Sequence, residues 1–382
     1  MHIMYLVDQW KLGGVRVVIS NLANAMAKKG HKVSIVTLYP ADGGEVRSDV
    51  PEAAFFSCNA SFSGDPGAVW KLAGHIRRSN PDIIHDHFGG LWAVPLHLIP
   101  GVSKRSIFHF HNEFSVIDSS PDTRRPMRDK VFYGYTIKKY ARVLCVSRYN
   151  TKQLIDGAGL NPKTTLNLPN SIDPAGFLKK KLHGEDVRKT LGIPAGVPLI
   201  GIVGRFVYEK GFDTVVEVLA HLKRNSLPGA AAVFVGSGDE VFEHEVEELA
   251  GKLGVSESCY FVGRQSGVAD YLKAMDVFMF LSRQEPFGLT ALESMAVGTP
   301  IVATRPENGG GPGEFLRDGE NARFLETRDV ATIGEAVVEI IQQSGRKETL
   351  VINAKNTLTD YSTDAISQRL EQIYQAVDQE AT

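Results

Sequence analysis

Glu285 and Glu293 stand eight residues apart in the stretch Glu285-Pro-Phe-Gly-Leu-Thr-Ala-Leu-Glu293. Apolar Leu289, Leu292 and Ala296 recur there at helical spacing, which predicts a helix from near Gly288 to Val297, stopped by Gly298. Glu285 then precedes the helix and Glu293 lies within it. The first amides of a helix have no intrahelical acceptor and sit at the positive end of its dipole. Those of Phe287, Gly288, Leu289 and Thr290 could therefore take a phosphate. One carboxylate could accept hydrogen bonds from a sugar and the other from a ribose, a pattern suited to a sugar nucleotide. Taken alone, the pair reads more simply as acids favourable to a helix start.

Its company elsewhere in the chain changes that. Gly204-Arg205-Phe-Val-Tyr-Glu-Lys210-Gly211 puts two cations into one strand-to-helix loop. Arg205 can grip phosphate oxygens through its planar fork, and Lys210 supplies a mobile point charge against the charge that grows on a departing diphosphate. Standing alone, these would be two exposed loop cations. Gly13-Gly14 and Gly236-Ser-Gly238 follow predicted strands and add two further turns of the same kind.

A rival signal comes from His85-Asp86-His87 and His109-Phe110-His111. Residues two apart in a strand face one side, so each pair could chelate a metal. With Asp86 they would suit a metal-dependent hydrolase. That reading leaves the Arg205–Lys210 loop and the paired glutamates without a task, and it is the minority alternative.

These residues need elements to hold them. Strands are expected at 3–7, 33–38, 82–85, 106–110 and 143–146, then at 198–203, 233–236, 259–262, 277–281 and 300–303, with helices between. The first helix should run from Val15 to Lys29, and Asp213 should cap the helix after Gly211. Strand and helix signals alternate throughout, so the fold class is α/β, with parallel sheets flanked by helices. Two doubly wound domains facing a cleft follow: residues 1–180, residues 181–362, and a C-terminal helix over 363–382 that crosses back to the first domain. In such sheets ligands bind at the carboxyl ends of strands, where the singled-out loops fall.

Composition narrows the class. At 382 residues, 43% hydrophobic and 23% charged, the chain suits two globular domains. A net charge of −2 gives no basic field for nucleic acid. Three scattered cysteines without CxxC spacing fit a reducing compartment, so a cytoplasmic location is expected. No basic leader opens the chain, and no apolar run approaches the ~20 residues of a membrane span. Arg124, Arg125, Arg128, Lys130, Lys138, Lys139 and Arg142, interleaved with Val131, Phe132, Tyr133 and Tyr135, offer either peripheral contact with the inner membrane face or an ordinary solvated surface.

With Gly13-Gly14, His111, Ser147, Gly204-Arg205, Lys210-Gly211 and Glu285 to Glu293 in order, the sequence resembles the retaining GT-B glycosyltransferases of family 4 over essentially its whole length. GRFVYEKGFD, GSGD and EPFGLTALESMAVGTPIVAT carry the resemblance most specifically. It implies a GT-B fold and metal-independent, retaining transfer of a hexose or related sugar from a nucleotide diphosphate to an acceptor hydroxyl, as in cell-envelope or exopolysaccharide synthesis. By the resemblance, Glu285 contacts the donor sugar and Glu293 the ribose, while Arg205 and Lys210 hold the diphosphate. Gly13, Gly14 and Gly236 belong to loops near the donor; Phe287, Gly288, Leu289 and Thr290 offer amides, and His111 lies near the reacting sugar. The expected catalytic set is His111, Glu285, Arg205 and Lys210. His85, His87, Asn112, Glu113 and Arg148 are assigned to a glycan, lipid-linked or small-molecule acceptor. No cofactor and no metal are implied, the donor being a UDP- or GDP-sugar. An epimerase or phosphorylase on the same fold is a further alternative. One departure stands out: after Asn321 this chain has Ala322-Arg323 where the family often has glycine.

Overall fold

The computed structural model describes residues 1–381 except 12, 63, 90–91, 112–134, 179–182 and 308. They form two compact units, Met1–Ser171 with Tyr361–Thr382, and Ile172–Asp360.

The first unit carries a seven-stranded sheet of β1 (His2–Val7), β2 (Lys32–Thr37), β3 (Ala54–Ser57), β4 (Ile83–Asp86), β5 (Ser106–Phe110), β6 (Arg142–Cys145) and β7 (Thr165–Asn167). Its order is β3-β2-β1-β4-β5-β6-β7, parallel throughout. The second unit carries β8 (Leu199–Val203), β9 (Ala231–Val235), β10 (Cys259–Phe261), β11 (Val277–Phe280), β12 (Ile301–Thr304) and β13 (Arg323–Leu325), ordered β10-β9-β8-β11-β12-β13. Both sheets are doubly wound. The direction of winding reverses between β1 and β4 in one and between β8 and β11 in the other, and a crevice opens at the strand ends at such a reversal.

Central strands are apolar runs because helices cover both faces. Every residue of β1, β8, β9 and β11 is buried. The helix Phe212–Asn225 buries Phe212, Val215, Val216, Val218, Leu219 and Leu222 on the second core. Each contributes about 1.5–3 kcal/mol relative to exposure. This helix departs from expectation at its start. Gly211, at φ 77°, occupies the cap position, and a Cβ there would lie 2.4 Å from the Leu281 carbonyl oxygen. Asp213 caps nothing; it sits in the first turn and pairs with Arg283.

The C-terminal helix Thr363–Ala381 packs within the first unit, burying Ile366, Leu370, Tyr374 and Val377. Glu371 receives Lys29 Nζ at 2.6 Å and lies 2.9 Å from His31 Nε2. Arg142, part of the basic run noted above, is ion-paired with Glu380. Tyr135 is exposed with Lys139 Nζ 4.4 Å above its ring, whereas residues 124–133 of that run lie outside the described residues. No helix among the described residues is long and apolar enough to cross a membrane.

Candidate functional site

In the second unit the predicted residues converge at the reversal point. Lys210 follows β8 through the short helical turn Tyr208–Lys210, and Glu285 follows β11. Lys210 Nζ donates to Glu285 Oε2 at 2.6 Å, and Ser282 Oγ donates to the same oxygen at 3.2 Å. Glu285 is buried while Lys210 is half-buried, so the pair sits at the edge of solvent. An ammonium has three protons, leaving Lys210 able to hold Glu285 and a phosphate oxygen together.

Arg283 sets this meeting. Its guanidinium grips both Asp213 oxygens, at 2.9 and 2.7 Å, and donates to the Tyr208 carbonyl at 2.7 Å. Its backbone N–H donates to the Glu209 carbonyl at 2.7 Å. The β8 loop is thereby tied to the β11 loop, one residue short of Lys210 and two short of Glu285. Arg328 adds a second tie, reaching the Leu281 carbonyl at 2.6 Å and Thr304 Oγ1 at 2.9 Å. Asp213, Ser282, Arg283 and Arg328 were not among the expected site residues. The one available signal was the position of Ser282-Arg283 at the end of a strand, immediately before Glu285.

Arg205 is exposed, and among the described residues its side chain has no hydrogen-bond partner. Gly236, at φ 147°, lies so close to the β8 loop that a Cβ would fall 1.8 Å from the Gly204 carbonyl oxygen; at Gly238 a Cβ would fall 2.4 Å from that of Phe206. The glycines let the β8 and β9 loops zip together, with Gly204 N–H on the Val235 carbonyl and Phe206 N–H on that of Ser237.

The helix Leu289–Val297 starts after Gly288, at φ 108°, without a side-chain cap. Among the described residues, the N–H groups of Gly288, Leu289 and Thr290 donate to no backbone carbonyl. Phe287 is buried against Phe315. Glu293 is half-buried with no hydrogen-bond partner among the described residues, and burial pushes its carboxyl up to about 7. The short helical turn Gly311–Glu314 starts against these residues: a Cβ on Gly311 would meet the Pro286 carbonyl oxygen at 2.3 Å, and the Gly311 N–H donates to the Glu285 carbonyl at 3.2 Å. Asn321 serves the fold, bonding the Arg317 N–H, the Phe315 carbonyl and Thr357, with Ala322 buried beside it and Arg323 paired to Asp318 and Glu339.

In the first unit, Gly13 precedes the helix Gly14–Lys28 in extended conformation, and a Cβ placed on it would meet nothing within 4 Å. Arg148 is exposed at the start of the helix Arg148–Ala158, which Ser147 caps through the Asn150 N–H at 3.1 Å. The four histidines gather on one face. His87 Nδ1 lies 2.8 Å from His111 Nε2, and His85, fully buried, has Nδ1 2.6 Å from the Tyr374 hydroxyl. Burial holds His85, His87 and His109 well below the ordinary 6.5 and His111 down to about 4, so all four are neutral imidazoles at pH 7. Asp86 belongs elsewhere: it accepts the Tyr140 hydroxyl and the N–H groups of Phe88 and Gly89. The set of four histidines with Asp86 expected of a hydrolase is therefore not assembled, because Asp86 is turned away from the histidines. Asn112 and Glu113 lie outside the described residues.

Comparison with known proteins bears on both units. Residues 184–357 match the family described as glycosyl transferases group 1, and residues 12–175 match glycosyltransferase family 4. A lipopolysaccharide core biosynthesis glycosyltransferase, LpsE, of Rhizobium meliloti is 37% identical over 181 residues, 47% of this chain and 50% of that protein, so the match spans about half of each. An uncharacterized glycosyltransferase of Methanocaldococcus jannaschii is 26% identical over 95% of this chain and 94% of its own length. Among solved structures, Anabaena HepE in complex with UDP and glucose superposes with a TM-score of 0.81 at 19% identity, covering 98% of this chain and 99% of HepE.

Proposed function

Because this chain belongs to the glycosyltransferases of family 4 and group 1, we propose that it moves a sugar, with retention and without a catalytic metal, from a nucleoside diphosphate held by its second unit to an acceptor hydroxyl. That it is a GT-B glycosyltransferase of glycan synthesis follows from the family and its relatives. The single observation that carries the finer reading is the Lys210–Glu285 contact of 2.6 Å at the point where the winding reverses.

Chemically, the assignments are these. Arg205, exposed and without a protein partner among the described residues, takes the diphosphate with Lys210, opposing the charge that develops as the sugar leaves. The N–H groups at the start of Leu289–Val297 serve the same phosphate. Glu285, fixed by Lys210 and Ser282, orients the donor sugar through its hydroxyls; it is a positioning carboxylate and not a base. Glu293 binds the ribose. Its raised carboxyl is the signature of an acid that has lost water without gaining donors, and two ribose hydroxyls supply them. Catalysis is then mostly positioning and charge stabilisation. UDP is the favoured donor nucleotide, since UDP is the nucleotide held by HepE; a GDP-sugar is the alternative. The acceptor is assigned to the first unit, with His87, His111 and Arg148 as candidate contacts, and a cell-envelope glycan is its proposed class by likeness to LpsE. A cytoplasmic site of action goes with that class.

Isothermal titration with UDP tests the nucleotide half of this reading. Wild-type protein should bind one equivalent, Arg205→Ala should weaken binding at least about tenfold, as expected for loss of one charged phosphate contact, and Glu293→Gln should weaken it less. Unaltered affinity in Arg205→Ala would remove that residue from the proposal.

A further inference from the structure

β4 and β5 bring four histidines to one face by register. Tyr5 pairs with His85, His85 with Ile107, and Asp86 with Phe108. Two residues further on, His87 comes beside His109. Alternation along each strand puts Tyr5, His85, His87, His109 and His111 on the same side and turns Asp86 to the other. Their rings stack in a compact group, with His85 and His87 centroids 4.1 Å apart and His109 5.3 and 5.2 Å from them.

Three of these histidines carry ring nitrogens without a hydrogen-bond partner among the described residues. His85 Nδ1 is held by the Tyr374 hydroxyl, which in turn bonds Tyr5 at 3.2 Å, and His87 Nδ1 is held by His111. The Nε2 atom of each is buried and, among the described residues, without a hydrogen-bond partner. Both ring nitrogens of His109 lack a hydrogen-bond partner by distance and angle among the described residues, although the Leu168 backbone lies close enough to favour its protonated form. Four buried, unpaired ring nitrogens in one cluster run against the strong tendency of buried polar atoms to be satisfied. One nitrogen from each of His85, His87 and His109 lies within 4.8 Å of the others.

We propose that His85, His87 and His109 form a binding site for a late first-row divalent cation, zinc above all, inside the first unit. The donor set selects the class: three imidazoles and no carboxylate suit zinc and its neighbours and not calcium or magnesium. A tetrahedral zinc with bonds of about 2.0–2.1 Å sets its nitrogens about 3.4 Å apart, so the rings need to close by at most about 1.4 Å. Tyr374 and His111 supply the outer partners that fix the ring orientation of metal-bound histidines. None of Arg205, Lys210, Glu285 or Glu293 takes part, while the ligand His87 and its partner His111 are shared with the proposed acceptor contacts. The site's consequence is structural. The cation would clamp β4 to β5 and, through Tyr374, hold the helix Thr363–Ala381 on the sheet.

The test uses untagged full-length protein, stripped with chelator and dialysed against one to two equivalents of zinc, then assayed for bound metal and melting temperature; cobalt is substituted in parallel. The expected result is one zinc per chain, a rise in melting temperature of several degrees, and the intense visible absorption of tetrahedral cobalt with nitrogen ligands. His87→Ala, checked by circular dichroism, should lose all three, whereas His244→Ala, on an exposed helix face, should lose none. Tyr374→Phe should bind about 10–100-fold more weakly; this variant keeps the ring in the core and decides the matter if His87→Ala does not fold. Wild-type protein that takes up no stoichiometric zinc overturns the proposal, as does uptake that survives both His87→Ala and Tyr374→Phe.

Discussion

Lys210 and Glu293 make opposite demands on their surroundings, and each yields a separable prediction. Lys210 is paired in the free protein, so its removal leaves a buried Glu285 with Ser282 as its one side-chain donor among the described residues. Lys210→Ala is expected to keep the fold and lower kcat/KM by about 10²–10³-fold, the range for deleting one preorganised charge stabiliser. Comparison of steady-state rates with the far-ultraviolet circular dichroism of the variant checks both halves. Glu293 has its carboxyl raised from the ordinary 4.5 to about 7 by burial. The folded state thus binds a proton more tightly than the unfolded state between those values, and stability falls as pH rises from about 4.5 through 7. Glu293→Gln should flatten that decline and melt higher than wild type at pH 8, while binding UDP more weakly. Binding of UDP by the wild-type protein should strengthen as pH rises through 7, because ribose hydroxyls favour the ionised carboxylate. Melting curves showing the same pH slope in both proteins would remove Glu293 as the source.

The loops at the carboxyl ends of β8, β9 and β11 are held by backbone proximity as much as by side chains. At Gly236 a Cβ would collide with the Gly204 carbonyl and the φ of 147° suits glycine. Gly236→Ala should destabilise by about 1–3 kcal/mol or more and uncouple the β8 and β9 loops. Gly13 is the contrast, since its extended backbone is open to any residue and a Cβ meets no neighbour. Gly13→Ala should leave the melting temperature within a degree or so of wild type; denaturation of both variants makes the comparison. The elements themselves were legible where burial is continuous. β8, β9, β11 and β1 beyond His2 are buried runs rich in apolar residues, as strands covered on both faces must be. The strands that escaped notice, Ala54–Ser57, Thr165–Asn167 and Arg323–Leu325, are three or four residues long and lie at sheet edges, where half-exposed positions break the apolar pattern. The ties made by Arg283 escaped for another reason. They join residues 70 and 75 positions apart, and nothing local in the chain marks them.

At the scale of the whole molecule, the chain spends its last residues on its first unit. Ile366, Leu370, Tyr374 and Val377 are buried there, each contributing about 1.5–3 kcal/mol, so together they approach the entire stability of a domain, about 5–15 kcal/mol. Removal of residues 363–382 should therefore leave a protein that aggregates on expression, a result read directly from the soluble fraction; a soluble, cooperatively melting truncation would contradict it. The net charge of −2 gives no basic field for nucleic acid, and the acceptor was left undetermined, since the polar residues of the first unit follow no simple code. Glu285, Glu293, Arg205 and Lys210 could be picked out because carboxylates, cations and glycines recur at fixed spacing. The buried phenol of Tyr374 could not, because its partner His85 lies 289 residues away.

The proposed donor site is built around Lys210 and Glu285. Its most direct test is nucleotide release from a panel of UDP-, GDP- and ADP-sugars, measured for wild type, Lys210→Ala and Glu285→Ala at a temperature well below melting. Release from one donor by the wild type, reduced at least about a hundredfold in both folded variants, is the predicted result. Release that persists undiminished in Lys210→Ala and Glu285→Ala would contradict it.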